Sequence, residues 1–275
     1  MIRLLTGGDI YEVKAYLERN HMETVLLNSN FERCGIDNDR TSRRGGDYYG
    51  YFEYGRLTAI LTFFNWGSVI PHFESPGAVS GFVEIMRQRK FEMMAGMKHI
   101  IEPLKQVLGH YKKVLDYEDS YYFINLDVKP AGLPCIGQIT DAREVERTAA
   151  LSFVVEAYRQ GFMRRFNTEL AAKLIDDRGP EEDHIFLLVD GVPKAQAFIQ
   201  VTTDRINQIG GVYTSEDCRG KGYCKVLVAE LCRRIRGYGK IPVLMVRKDN
   251  LPAIKSYQSI GFTYFDDYLV VKFLI

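Results

Sequence analysis

The sequence offers little covalent or electrostatic scaffolding. Five cysteines occur in 275 residues, Cys34, Cys135, Cys218, Cys224 and Cys232, an odd number with no Cys-x-x-Cys pair. Neither a disulfide framework nor a structural zinc site is implied, and a reducing cytoplasm fits. Charge of one sign is also missing: 36 Lys+Arg stand against 35 Asp+Glu, a net charge of +1. Without a global field to hold a polyanion, nucleic acid and acidic membrane surfaces fall away as partners. No run approaches the ~18 apolar residues of a membrane span, and the opening MIRLLTGGDIYEV lacks the apolar core of a secretory signal. A cytoplasmic protein without a membrane partner is expected.

What is present is a 46% hydrophobic chain, long enough to bury two cores. Val13, Tyr16 and Leu17 share one face of a helix over Ile10–Asn20, with Asp9 as its cap. Tyr48–Tyr54 and Leu57–Phe64 read as a hairpin around Gly55-Arg56. A strand at Gly67–Phe73, a helix through Val83 and Met86, a strand near Phe91–Ala95 and a helix to Leu108 follow. The half closes with strands near Lys113–Tyr117 and Tyr121–Leu126, parted by the acidic pair Glu118-Asp119. VKPAGLP, within Asp127–Pro134, reads as a linker.

The second half repeats this order, with helices over Ala142–Gln160 and Asn167–Asp176 and strands at His184–Val189, Lys194–Thr202 and Asn207–Thr214. Its end also repeats the first: Gly261-Phe262, Tyr264-Phe265, the acidic pair Asp266-Asp267, then Tyr268–Phe273. Two similar units in tandem are expected, 1–130 and 131–275, each with a mixed, mostly antiparallel sheet flanked by helices.

The sharpest chemical signal follows the strand ending at Thr214. Arg219-Gly220-Lys221-Gly222 opens a helical pattern of Val226, Leu227, Leu231 and Ile235. Two glycines let successive N–H groups face one concavity, the helix start adds its dipole, and two cations stand beside it, which suits a diphosphate. A Walker loop is excluded by Ser215 and Gly222 at its fixed positions, and a dinucleotide fingerprint by Lys225 at its third glycine.

The loop resembles the acyl-CoA-binding loop of the GNAT acetyltransferase superfamily, Arg/Gln-x-x-Gly-x-Gly/Ala. Arg219, Gly222 and Cys224 occupy its three positions, Cys224 being a departure. A second signature, Asn250-x-x-Ala253-x-x-x-Tyr257-x-x-x-Gly261-Phe262, follows a strand at Ile241–Val246. Together they cover roughly residues 135–275. The resemblance implies an N-acetyltransferase that moves an acetyl group from acetyl-CoA, without a metal, to a primary amine by direct attack. Val212, Tyr213 and Thr214 would pair with the pantetheine arm, an amide near Val212 or Tyr213 polarising the thioester. Arg219, Gly220, Lys221, Gly222, Tyr223, Cys224 and Asn250 would complete the cofactor site, and Tyr257 would act as general acid.

Gln208 stands where relatives often carry a strand glutamate, so the base is unassigned and a water relay is expected. Glu156, Tyr158 and Arg159 are candidates for acceptor contact. A non-catalytic module that binds acyl-CoA is the rival reading. The first half lacks the loop, offering Glu74-Ser75-Pro76-Gly77-Ala78 after its strand, and reads as a degenerate unit that shapes an acceptor pocket or a homodimer contact. His184 has no partners at metal spacing.

Overall fold

The computed structural model describes residues 1–127 and 137–275; the expected linker from Val128 onward, and Cys135, lie outside them. The described residues group into two compact units. One comprises Met1–Tyr122 with Asp266–Ile275, the other Phe123–Phe265. The C-terminal ten residues thus pack with the first unit, a feature the division at 130/131 does not contain.

In the first unit, β1 (Ile2–Leu4), β2 (Gly46–Glu53), β3 (Arg56–Phe64) and β4 (Ser68–Phe73) pair antiparallel in sequence order. β5 (Met93–Met97) then joins β4 in parallel. The β2–β3 turn places Tyr54 (φ 51°) and Gly55 (φ 81°) in the left-handed region, as a tight hairpin turn requires. Helix α1 (Ile10–Arg19) buries Val13, Tyr16 and Leu17, as its periodicity predicts. Asp9 is not its side-chain cap, because its carboxylate is held by Arg3 and by the Thr6 amide. Helix α2 (Val25–Cys34) is not among the expected elements, and α3 (Val79–Gln88) and α4 (Lys98–Leu108) complete the unit.

The second unit repeats the pairing. β7 (Gln138–Asp141), β8 (His184–Val189), β9 (Val192–Thr202) and β10 (Ile206–Thr214) are antiparallel in order, and β11 (Ile241–Arg247) joins β10 in parallel. Helices α5 (Arg147–Glu156), α6 (Thr168–Asp176), α7 (Tyr223–Gly237) and α8 (Leu251–Ser259) accompany it. The mixed, mostly antiparallel sheet of each unit is as the sequence implies.

Both acidic pairs were expected to turn the chain, and neither does. β6 runs unbroken over Val114–Ile124 and β12 over Thr263–Phe273. No glycine or proline interrupts either segment, and the carboxylates find cations instead of bending the backbone. Asp119 meets Lys98 at 2.5 Å, Asp116 and Glu118 meet Lys272 at 3.1 and 3.2 Å, and Asp266 meets His99 at 3.0 Å. β6 carries the chain from the first unit into the second, and β12 carries it back, where Tyr268–Lys272 pair antiparallel with β5. Among the described residues no helix is long and apolar enough to cross a membrane.

Candidate acyl-transfer site

The strand β10 is irregular where chemistry was expected. Its parallel ladder with β11 covers Ile206–Ile209 and stops there. Its antiparallel ladder with β9 skips between Gly210↔Phe198 and Tyr213↔Gln196, so β10 carries an extra residue at Gly211-Val212. That is a bulge, and it needs glycine: Gly211 has φ 61°, and a Cβ there would lie 1.8 Å from the Phe198 ring. The buried Gln196 amide donates to the Gly211 carbonyl at 3.2 Å, fixing the bulge. The Val212 backbone therefore leaves the regular ladder beyond the point where β10 and β11 part.

After Thr214 a single 3-10 turn at Glu216–Cys218 leads into Arg219, in extended conformation, and two left-handed glycines, Gly220 (φ 78°) and Gly222 (φ 81°). A Cβ on Gly220 would meet nothing within 4 Å, so its backbone faces open space. Gly222 is the N-cap of α7 and supplies no side chain to the first turn, while Val226, Leu227, Leu231 and Ile235 anchor the helix in the core. The outcome is a helix start with its amides uncapped by any side chain and exposed Arg219 and Lys221 beside it, a setting suited to anionic oxygens. Arg219 lies 3.7 Å from Glu216, a loose surface pair.

The Cys224 side chain is half-buried and meets Ser256 of α8. Burial pushes its thiol up, and the Ser256 hydroxyl of α8 partly offsets this. A side chain larger than the usual glycine or alanine is thus accommodated against α8, and its protonated thiol is a poor nucleophile. Tyr257, on α8, is fully buried; burial, and then the neighbouring Cys224, raise its phenol well above the ordinary tyrosine value. Its ring packs edge-on against Phe262. Asn250 caps α8 by accepting the Ala253 amide at 3.3 Å. Ala253 and Tyr257 follow it on the same helix.

Tyr213 divides its roles. Its backbone belongs to the strand, while its side chain crosses to α5, where the hydroxyl donates to Glu156 Oε1 at 3.0 Å and lies 3.2 Å from Gln160 Oε1, which competes for the same proton. Burial, then Glu156, push its phenol up to about 12. The ring packs on Phe153 and leaves room only for glycine at Gly161, where a Cβ would lie 2.5 Å away. Glu156 and Gln160 converge because a π-helical turn, Ala157–Gly161, follows α5. Such turns interrupt helices preferentially at functional positions.

Neither the bulge nor this convergence is apparent from motif matching, although the Gly210-Gly211 pair on a strand and the four-residue spacing of Glu156 and Gln160 are signals. Gln208 is buried on β10, so no carboxylate rises from that point of the strand. His184 is buried between Phe186 and Phe198, and burial pushes its imidazole down to about 3, as befits a neutral core residue.

In the first unit the corresponding loop follows β4. Glu74 there is gripped by Arg19 and Arg56, and Ser75 donates to Glu53. The loop faces carboxylates already spoken for and offers a diphosphate no cation of its own.

Residues 188–271 match the model of the FR47-like protein family. No curated protein matches the sequence. Among solved structures, a GCN5-related N-acetyltransferase from Sphaerobacter thermophilus is similar at 16% identity, with 99% of this chain and 94% of that one covered and a TM-score of 0.64. A tandem GNAT protein from the clavulanic acid biosynthesis pathway aligns over 99% and 97% at 12% identity, with a TM-score of 0.60. A Drosophila protein aligns over 99% and 98% at 11% identity, with a TM-score of 0.73. At such identities the likeness establishes the fold, which is that of GNAT acetyltransferases. The FR47-like match covers residues 188–271, within which the glycine loop lies, and the likeness to the solved structures is one of fold.

Proposed function

We propose that the chain is an N-acetyltransferase that moves an acetyl group from acetyl-CoA to a primary amine by direct attack, using its second unit. The observation that carries this reading is the parting of β10 from β11 after Ile209, followed by a basic glycine loop at the open start of α7. The backbone amides of Gly220, Gly222, Tyr223 and Cys224, with Arg219 and Lys221, would hold the diphosphate. Val212, Tyr213 and Thr214 would offer strand edges to the pantetheine arm, and the bulged Val212 amide would polarise the thioester carbonyl.

An amine nucleophile, with an ordinary pKa near ~10.4, must lose a proton before attack. With Gln208 in place of a strand carboxylate, ordered water is the proton acceptor in this reading. Tyr257 stays protonated and serves as donor to the departing thiolate. Asn250 contributes by fixing the start of α8 and so the placement of Tyr257. The first unit, its loop lacking the cations, binds no acyl-CoA.

Buried Gln208 favours a second reading, an acyl-CoA-binding module without turnover. The Tyr257→Phe variant separates the two when free-thiol release is followed with acetyl-CoA and an amine panel. Normal acetyl-CoA binding with turnover reduced by about 10²-fold or more supports the enzyme. Absence of turnover by the unmodified chain, with acetyl-CoA bound, supports the module.

A further inference from the structure

Between the π-helical turn and α6, the second unit holds an open pocket of about 680 Å³ lined by Arg159, Arg164 and Arg165 with Met163, Phe166, Asn167 and Leu170. The segment forming it is fastened rather than loose. Arg164 N donates to Tyr158 O at 2.9 Å, and Arg159 Nε donates to Phe166 O at 2.9 Å. The Tyr158 and Phe166 rings stack at 3.8 Å, nearly parallel. At its turn Met163 adopts φ 51°, a strained conformation for a residue with a side chain, held by these contacts.

The arginines differ from four others in the same unit. Arg147, Arg233, Arg234 and Arg247 each grip a carboxylate at 2.6–2.8 Å. No carboxylate lines this cavity, and the guanidiniums of Arg164 and Arg165 have no carboxylate partner among the described residues. Three arginines thus line one pocket that holds no carboxylate, in a chain whose net charge is only +1. Arginine forks suit carboxylate and phosphate oxygens, and the apolar walls suit a short carbon body.

We propose that this cavity binds an anionic group, carboxylate or phosphate, carried by the amine acceptor, so that the substrate is a zwitterionic amine and not a polyamine. The proposal rests on the N-acetyltransferase reading for the word acceptor, but the cavity's preference for an anion can be measured without turnover. The apolar lining limits the ligand to a small molecule, and Arg159, its Nε bonded to the Phe166 carbonyl, keeps its other N–H groups uncommitted to a carboxylate among the described residues.

The test is calorimetric titration of the full chain, with and without acetyl-CoA, using three probes: β-alanine, O-phosphoethanolamine and putrescine. One of the two anionic amines should bind at least about ten-fold more tightly than putrescine. The Arg164→Ala/Arg165→Ala variant should lose that preference while keeping its acetyl-CoA affinity. Both side chains are exposed, so the fold is not at stake. Arg165→Glu should shift preference toward putrescine. The better of the two anionic probes identifies the group.

Equal binding of all three probes, or none, overturns the proposal. So does an anion preference that survives the Arg164/Arg165 variant and is lost in Arg219→Ala, which would place the anion at the glycine loop. An anion preference at these arginines in a chain that fails to bind acetyl-CoA would leave the cavity standing and remove the acetyltransferase reading.

Discussion

The hydroxyl of Tyr213 on β10 donates to the carboxylate of Glu156 on α5 across 3.0 Å, tying the irregular strand to the helix that precedes the arginine-lined cavity. Tyr213→Phe removes that bond and leaves the backbone intact. The second unit should lose about 1–2 kcal/mol, the worth of a hydrogen bond to a half-buried charged group. Acetyl-CoA affinity should change little, because the strand contributes its backbone to that ligand in this account. Urea unfolding and calorimetry on the same samples read both quantities.

Gly211 should tolerate no side chain. Gly211→Ala adds a left-handed alanine and drives its Cβ into Phe198, at a combined cost of about 2–4 kcal/mol. Gly220→Ala has the same left-handed strain but open space around it, so its cost should be about 1 kcal/mol. A denaturant comparison of the two variants should therefore rank them in that order.

The first unit should show a stability optimum in mildly acidic solution. Glu23, between α1 and α2, accepts from His72 of β4 and His99 of α4, each at 3.2 Å. His72 also bonds Tyr16 of α1, and His99 also bonds Asp266 of β12. These hydrogen bonds, from His72 first and His99 second, hold the Glu23 carboxyl down at about 2. Its contribution is therefore present above about pH 4.3 and lost as pH falls toward 2.

His99 is raised, chiefly by its bond to Glu23, so its contribution is full below about pH 6.5 and lost as pH rises through its folded-state value. His99→Gln should remove the alkaline limb and shrink the acid one, which His72 still supports. Unfolding midpoints of both proteins across about pH 3–9 test it; parallel curves would contradict the assignment.

Much of this architecture is visible in sequence because the residues act locally. The α1 face, the β2–β3 turn and the glycine loop before α7 follow from periodicity or from backbone freedom at glycine. Glu118-Asp119 and Asp266-Asp267 misled because their carboxylates are engaged by Lys98, Lys272 and His99, distant partners that local patterning does not reveal, whereas Asp9 is taken up by the nearby Arg3 and Thr6. The site divides likewise. Arg219, Gly220 and Gly222 announce a basic glycine loop through their spacing. The bulge at Gly211, the turn of Cys224 toward Ser256 and the meeting of Glu156, Gln160 and Tyr213 depend on neighbours brought together only by folding.

Calorimetric titration of the full chain with acetyl-CoA reads whether the second unit holds that ligand at its glycine loop, as proposed. The unmodified protein should bind acetyl-CoA in the micromolar range. An Arg219→Ala/Gly222→Glu variant, which removes a cation and sets a carboxylate at the left-handed start of α7, should bind at least about a hundred-fold more weakly. No binding by the folded, unmodified chain, or equal binding by the variant, would contradict the account.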